Sequence, residues 1–258
     1  MTPPIQLIST DFDGTIFAEF ENPPIPPRLV ALIGDLQARG AKWVINTGRD
    51  MSSLMEALAR SKISIQPDYL VLVEREIYQH DGVRYAPLVE WNAACDRDHA
   101  ALFTRVNVEV GGLIDWVNAR FRATVYADPY SPFCLIAGNN GDADLIHAQL
   151  EEFCVRFPDL TVVRNDVYAR FSHVAYNKGT ALAEVTRRLR LTRDQVFAAG
   201  DHLNDLPMLK LEFARCLVTP ANGIESVKAI VRQQQGFISQ LSRGAGVAEG
   251  LEFYLRQA

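Results

Sequence analysis

The stretch Ile5-Gln6-Leu7-Ile8-Ser9-Thr10-Asp11-Phe12-Asp13-Gly14-Thr15 decides the fold. Its first half is a short apolar run with prolines before it and an Asp-Gly turn signal after it, the pattern of a buried strand. Extended geometry turns Asp11 and Asp13, two residues apart, toward a common side. Open α/β sheets carry their chemistry at the carboxyl ends of strands, which is where this acidic pair falls. A solvated Asp-Gly turn is the bland alternative, so Asp-x-Asp carries little weight alone.

Working outward, the pattern repeats. After the Pro-rich loop Pro23 to Pro27, Leu29, Leu32, Ile33 and Leu36 recur at helical spacing, and Gly40 is placed to end a helix over about 27–39. A strand over Lys42 to Asn46 runs into Thr47-Gly48-Arg49, a helix over about 51–60 follows, and Tyr69 to Val73 supplies a third strand. From about Ile77 the texture changes to aromatic and β-branched residues with turn signals such as Gly138-Asn139-Asn140-Gly141. There Ile146, Leu150, Phe153 and Phe157 mark a helix, and a hairpin is expected to turn at Asn165-Asp166. The strand–helix alternation resumes at Lys178, with strands at 195–199 and 215–219 and a helix over about 222–232. The expectation is an α/β protein: a Rossmann-like, doubly wound parallel-sheet core from 1–76 and 175–258, interrupted by a smaller α+β domain at 77–174 with a mixed sheet.

Composition narrows the function. Hydrophobic residues make up 48% and charged residues 22%, which is the balance of a folded chain. The 26 basic and 31 acidic residues give a formal charge of −5, without the basic excess that binds a phosphate backbone, so no nucleic-acid partner is expected. The sequence has no apolar run of membrane-spanning length, and no membrane partner is expected. Cys95, Cys134, Cys154 and Cys216 are scattered without a Cys-x-x-Cys pair, which reads as reduced thiols of a cytoplasmic protein. Cys95 and His99 could share a helix face, but two ligands do not make a zinc site.

A second constellation, Gly200-Asp201-His202-Leu203-Asn204-Asp205, again follows an apolar strand. Its two carboxylates and one amide are hard oxygen donors of the kind Mg²⁺ takes. Thr47 and Lys178 add a hydroxyl donor and a fixed positive charge, which a phosphate ester needs and an acidic metal site lacks.

Together, Asp11-Phe12-Asp13-Gly14-Thr15, Thr47-Gly48-Arg49, Asn177-Lys178-Gly179-Thr180-Ala181-Leu182 and Gly200-Asp201 to Asn204-Asp205 resemble, in order and spacing, the four motifs of the haloacid dehalogenase superfamily. The Lys-Gly-Thr-Ala-Leu run and the Asn-Asp pair look most like its Cof-type branch, which includes sucrose-phosphate phosphatases, and the insertion resembles that branch's α/β cap. The resemblance implies a Mg²⁺-dependent phosphatase acting on small phosphorylated metabolites such as sugar phosphates. Asp11 is then the nucleophile that becomes an aspartyl phosphate and Asp13 the general acid and base. Thr47, Gly48 and Lys178 bind the phosphoryl group. Asp11, Asp13, Asp201, Asn204 and Asp205 hold or orient the metal, and the cap chooses the leaving group. Two positions depart from the branch: His202 replaces a small residue, and Leu72-Val73-Glu74-Arg75-Glu76 stands where Asn-Gly is usual. A phosphomutase shares the same residues, and a noncatalytic binding module would not need all of them.

Overall fold

In the computed structural model, residues 3–257 are described. Their elements run β1 (Leu7–Thr10), α1 (Pro27–Ala38), β2 (Lys42–Asn46), α2 (Met51–Ser61), β3 (Tyr69–Leu72), β4 (Glu76–His80), β5 (Tyr85–Pro87), α3 (Val89–Val106) and α4 (Val110–Arg120). There follow β6 (Ala123–Asp128), β7 (Ser131–Ala137), α5 (Asn140–Cys154), β8 (Leu160–Asn165), β9 (Tyr168–His173) and α6 (Lys178–Arg188). β10 (Val196–Ala199), β11 (Cys216–Thr219), α7 (Glu225–Gln233), β12 (Phe237–Ile238) and α8 (Arg243–Leu255) complete the chain. It divides into two compact units, one reaching to Val89 and resuming at Lys178, the other spanning Glu90–Asn177.

The first unit is built on an eight-stranded sheet of order β12-β11-β10-β1-β2-β3-β4-β5. β1 lies in its interior, parallel to both neighbours, with Thr10 beside Ala199 of β10 and Ile45 of β2. All four β1 residues are buried, as a strand covered on both faces requires. From β1 the order steps one way to β2 and β3 and the other way to β10, β11 and β12. The connections therefore diverge at β1, the place where open sheets form a binding crevice at the strands' carboxyl ends.

Local signals explain the flanking helices. α1 starts with Pro27 in its first turn and is followed by Gly40 at φ +99°, whose N–H donates to the Gln37 carbonyl at 2.9 Å. Asp50 caps α2 by accepting the Ser53 N–H at 2.8 Å. Trp43 of β2 is 1% exposed and still satisfies its indole N–H on Thr10 Oγ1 at 3.2 Å.

The second unit has its own core and a four-stranded sheet, β6-β7-β9-β8, in which every pairing is antiparallel. Phe133, Phe153 and Phe171 pack together there, with ring centroids 5.1 and 5.5 Å apart. The mixed sheet expected from sequence is thus corrected to an antiparallel one, joined by local hairpins and by the α5 connection. The expected boundary at 76/77 is also corrected. Residues 76–87 form the hairpin β4–β5, which pairs antiparallel onto β3 and extends the first sheet, so the compact units part at 89/90 and 177/178. α3, α4, β12 and α8 were not foreseen.

Candidate active site

Four strands that are consecutive in the sheet, β10, β1, β2 and β3, end in Asp201, Asp11, Thr47 and Glu74 within one to two residues. Asp11 is 5% exposed, and its N–H donates to the Ala199 carbonyl at 2.9 Å, which keeps the chain in register one residue beyond the strand. Lys178 opens α6 with its side chain wholly buried. Its ammonium donates to Asp11 Oδ1 and Asp205 Oδ1, both at 2.6 Å. The Asn46 amide donates to the Lys178 carbonyl at 2.9 Å and so ties this helix start to the end of β2.

The 200–205 loop is tightly organised. Asp205 Oδ2 accepts the N–H groups of Asp201 and His202 at 2.8 and 3.0 Å, so this carboxylate shapes the loop while its other oxygen meets the lysine. A β-carbon at position 200 would lie 2.4 Å from Asp205 Cβ, so only glycine fits there. Gly14 is likewise required: its φ is +76°, and a β-carbon would stand 2.6 Å from Asp201 Oδ2. Asp201 accepts the Thr15 hydroxyl at 2.7 Å and the Asn222 amide at 3.3 Å, and Asn222 also donates to the Gly14 carbonyl at 2.8 Å.

Asp11, Asp201 and Asp205 bring oxygens within 4.8 Å of one another, the only such cluster of three or more potential ligands among the described residues. Burial, and next the Asp205 charge, push the Asp11 carboxyl well above its ordinary range, against the pull of Lys178. Burial and then Asp205 also raise Asp201, to about 7, while the Thr15 hydroxyl opposes them. Burial acts against the charge of Lys178, but Asp11 and Asp205 outweigh it and hold the ammonium above its ordinary value. Three carboxylates thus face one ammonium. The carbonyl oxygen of Asn204 is also buried with no hydrogen-bond donor. The donor set is all oxygen and its charge is under-compensated, so these residues fit a Mg²⁺ ion.

Asp13 stands apart from that buried group. Its carboxylate is 43% exposed and is gripped at both oxygens by Arg49, Nε to Oδ2 at 2.8 Å and Nη2 to Oδ1 at 2.7 Å. Arg49 is itself fixed, lying 5.5 and 5.6 Å over the rings of Phe12 and Phe17 and donating to Ser53 Oγ at 2.9 Å. Thr47 is buried, and its hydroxyl oxygen accepts the Arg49 N–H at 3.2 Å, leaving the hydroxyl proton to give to a phosphoryl oxygen. Gly48 joins the two. A β-carbon there would be 3.5 Å from Glu74 Oε1, in ordinary contact with that carboxylate.

The first unit therefore carries every residue expected at the site. Arg49, Thr15, Asn222 and Glu74 were given no role from sequence. Arg49 and Thr15 lie inside quoted motifs and could have been found there, and Glu74 lies in the segment that departs from Asn-Gly, but nothing local marks Asn222. In the second unit Phe133 is core, whereas Tyr126 is 39% exposed. The Cys95–His99 pair is satisfied internally, with His99 Nδ1 2.8 Å from the Cys95 carbonyl and Nε2 accepting the His173 N–H at 3.1 Å. Among the described residues no helix is long and apolar enough to cross a membrane.

Residues 127–251 match the profile of the haloacid dehalogenase-like hydrolases, a span that includes Lys178 and Asp201 to Asp205. The chain is 24% identical to the 5-amino-6-(5-phospho-D-ribitylamino)uracil phosphatase of Bacillus subtilis, with 97% of this chain and 96% of that protein covered. Its fold is shared with the sucrose-phosphatase of Synechocystis, solved with sucrose and phosphate (TM-score 0.75, 17% identity, 98% of each chain). It is also shared with a phosphatase of the haloalkanoate (HAD) enzyme superfamily from Bacteroides thetaiotaomicron (TM-score 0.67, 18% identity, 97% of this chain and 95% of that one).

Proposed function

We propose that this chain, a haloacid dehalogenase-like hydrolase by its family match and fold, is a Mg²⁺-dependent phosphatase of small-metabolite phosphate monoesters, sugar phosphates in particular. The observation that carries the reading is the buried carboxylate of Asp11 held at 2.6 Å by a buried lysine among two further carboxylates.

Asp11 attacks phosphorus and displaces the ester oxygen, and Asp13 gives that oxygen its proton, so the products are an alcohol and an aspartyl phosphate. Water then attacks the aspartyl phosphate with Asp13 taking its proton, which frees inorganic phosphate and regenerates Asp11. Because Arg49 engages both oxygens of Asp13, either proton transfer requires one of them to be released. Lys178 orients the nucleophile and, with Thr47 and the Gly48 backbone, draws the phosphoryl oxygens in. Asp11, the Asp13 backbone carbonyl and Asp201 would hold Mg²⁺, with Asn204 and Asp205 orienting that set. When bound, the ion would offset the repulsion between an anionic nucleophile and a phosphate dianion.

The unit spanning Glu90–Asn177 is the region we assign to choosing the leaving group. The preference for sugar or polyol esters is supported by the names of two relatives, a ribityl-phosphate phosphatase and a sucrose-phosphatase. The test is phosphate release from a panel of sugar, polyol and nucleotide monoesters, with Mg²⁺ and with EDTA. Metal-dependent release that favours sugar or polyol esters is expected. Release unaffected by EDTA, or transfer to a second hydroxyl without free phosphate, would overturn it.

A further inference from the structure

The turn after β3 is an unusual piece of backbone. Val73 and Glu74 have φ of +44° and +66°, the left-handed region that non-glycine residues, and β-branched ones above all, adopt only under constraint. The constraint is visible. The Val73 N–H donates to the Arg49 carbonyl at 3.0 Å and the Glu74 N–H to the Thr47 carbonyl at 2.9 Å, pinning this turn to the loop after β2. Glycine would sit in such a turn without strain. Instead a glutamate stands there, 5% exposed, and it accepts the Asn204 amide nitrogen at 2.8 Å.

That contact has a directional consequence. A carboxylate can only accept, so Asn204 must turn its NH₂ group toward Glu74. The other arm of the planar amide, Oδ1, is then directed away from it, and this is the buried oxygen that lacks a donor. Asn204 belongs to the 3-10 turn Leu203–Asp205, in the same loop as Asp201. We propose that Glu74 is a positioning residue for the cation: by accepting the Asn204 NH₂, it commits that side chain to offering oxygen, directly or through a water, to Mg²⁺. The inference rests on the Mg²⁺-dependent reading above.

Glu74→Gln is nearly isosteric but removes the commitment, because a glutamine can donate to Asn204 Oδ1 as readily as it accepts from Nδ2. Asn204→Asp sets two carboxylates against each other. The pair Glu74→Gln with Asn204→Asp restores one donor facing one acceptor and leaves an oxygen for the ion.

The experiment is calorimetric titration of Mg²⁺ into the wild type, both single variants and the double variant, with thermal melts in EDTA to establish that each is folded. Each single variant is expected to bind Mg²⁺ about tenfold or more weakly, the usual effect of losing a partner that orients a metal ligand. The double variant should return to wild-type affinity or above. A folded Glu74→Gln with wild-type affinity, or a double variant no better than Asn204→Asp, overturns the role of Glu74. Wild-type protein that takes up no Mg²⁺ instead overturns the reading on which it rests.

Discussion

The two units of this chain bury different things. The first buries a cluster of ionisable groups: Asp11 and Asp205, at 5 and 0% exposure, each accept a hydrogen bond from the ammonium of the wholly buried Lys178. The second buries aromatic rings, a histidine whose Nε2 accepts a backbone N–H, and a single charged side chain, Arg170, at 3% exposure. Buried charge is expensive unless every group is paired, and sites that keep it do so for chemistry. A core of Phe133, Phe153 and Phe171 needs no such explanation. The difference accords with the proposal that the first unit carries the reaction and the second selects among substrates.

The most severe way to test that division is Asp11→Asn. Turnover of every ester should fall by about 10⁴-fold or more, the scale of losing a covalent nucleophile, whatever the leaving group. Unequal loss across a panel would blur the division. Removing metal with EDTA comes next, with a loss of about 10³-fold that added Mg²⁺ reverses, equivalent to several kcal/mol of transition-state stabilisation.

The two cores can then be compared directly. Lys178→Met leaves Asp11 and Asp205 without their cation and should cost about 3–5 kcal/mol in urea unfolding, with aryl phosphate turnover lost. Phe171→Ala should cost a similar 3–5 kcal/mol through the cavity it leaves. Aryl phosphate turnover should nevertheless persist, while the ranking among sugar esters changes. The mildest change is Arg49→Lys, which loses the fork on Asp13 and the stacking on Phe12 and Phe17. It should slow esters with poor leaving groups about tenfold and aryl phosphates less, since these need no proton.

The same contrast explains what could be read before any coordinates. Parallel interior strands are short, wholly buried and followed closely by their functional residues, so Leu7–Thr10 announced Asp11 and Val196–Ala199 announced Asp201. Glu76–His80 has no such signature. From Ile77 on it reads as part of the insertion because the sequence there turns aromatic and rich in turn signals, whereas its pairing with β3 is a long-range fact. α3 and α4 were missed for a related reason: their apolar positions are interleaved with polar and glycine residues, and tertiary packing decides them. Asn222 reaches Asp201 across 21 residues, and Glu74 depends on two left-handed residues that nothing in Leu-Val-Glu-Arg-Glu foretells.

The central claim is that Asp11 carries the phosphoryl group between the two half-reactions. Its most direct test is to mix Asp13→Asn with Mg²⁺ and an aryl phosphate, quench in acid, and locate any adduct by peptide mass spectrometry. The leaving group needs no acid, but the intermediate loses its base, so one phosphoryl group should accumulate on Asp11. An adduct on any other residue, or phosphate release in a burst with Asp11 unmodified, would contradict the account.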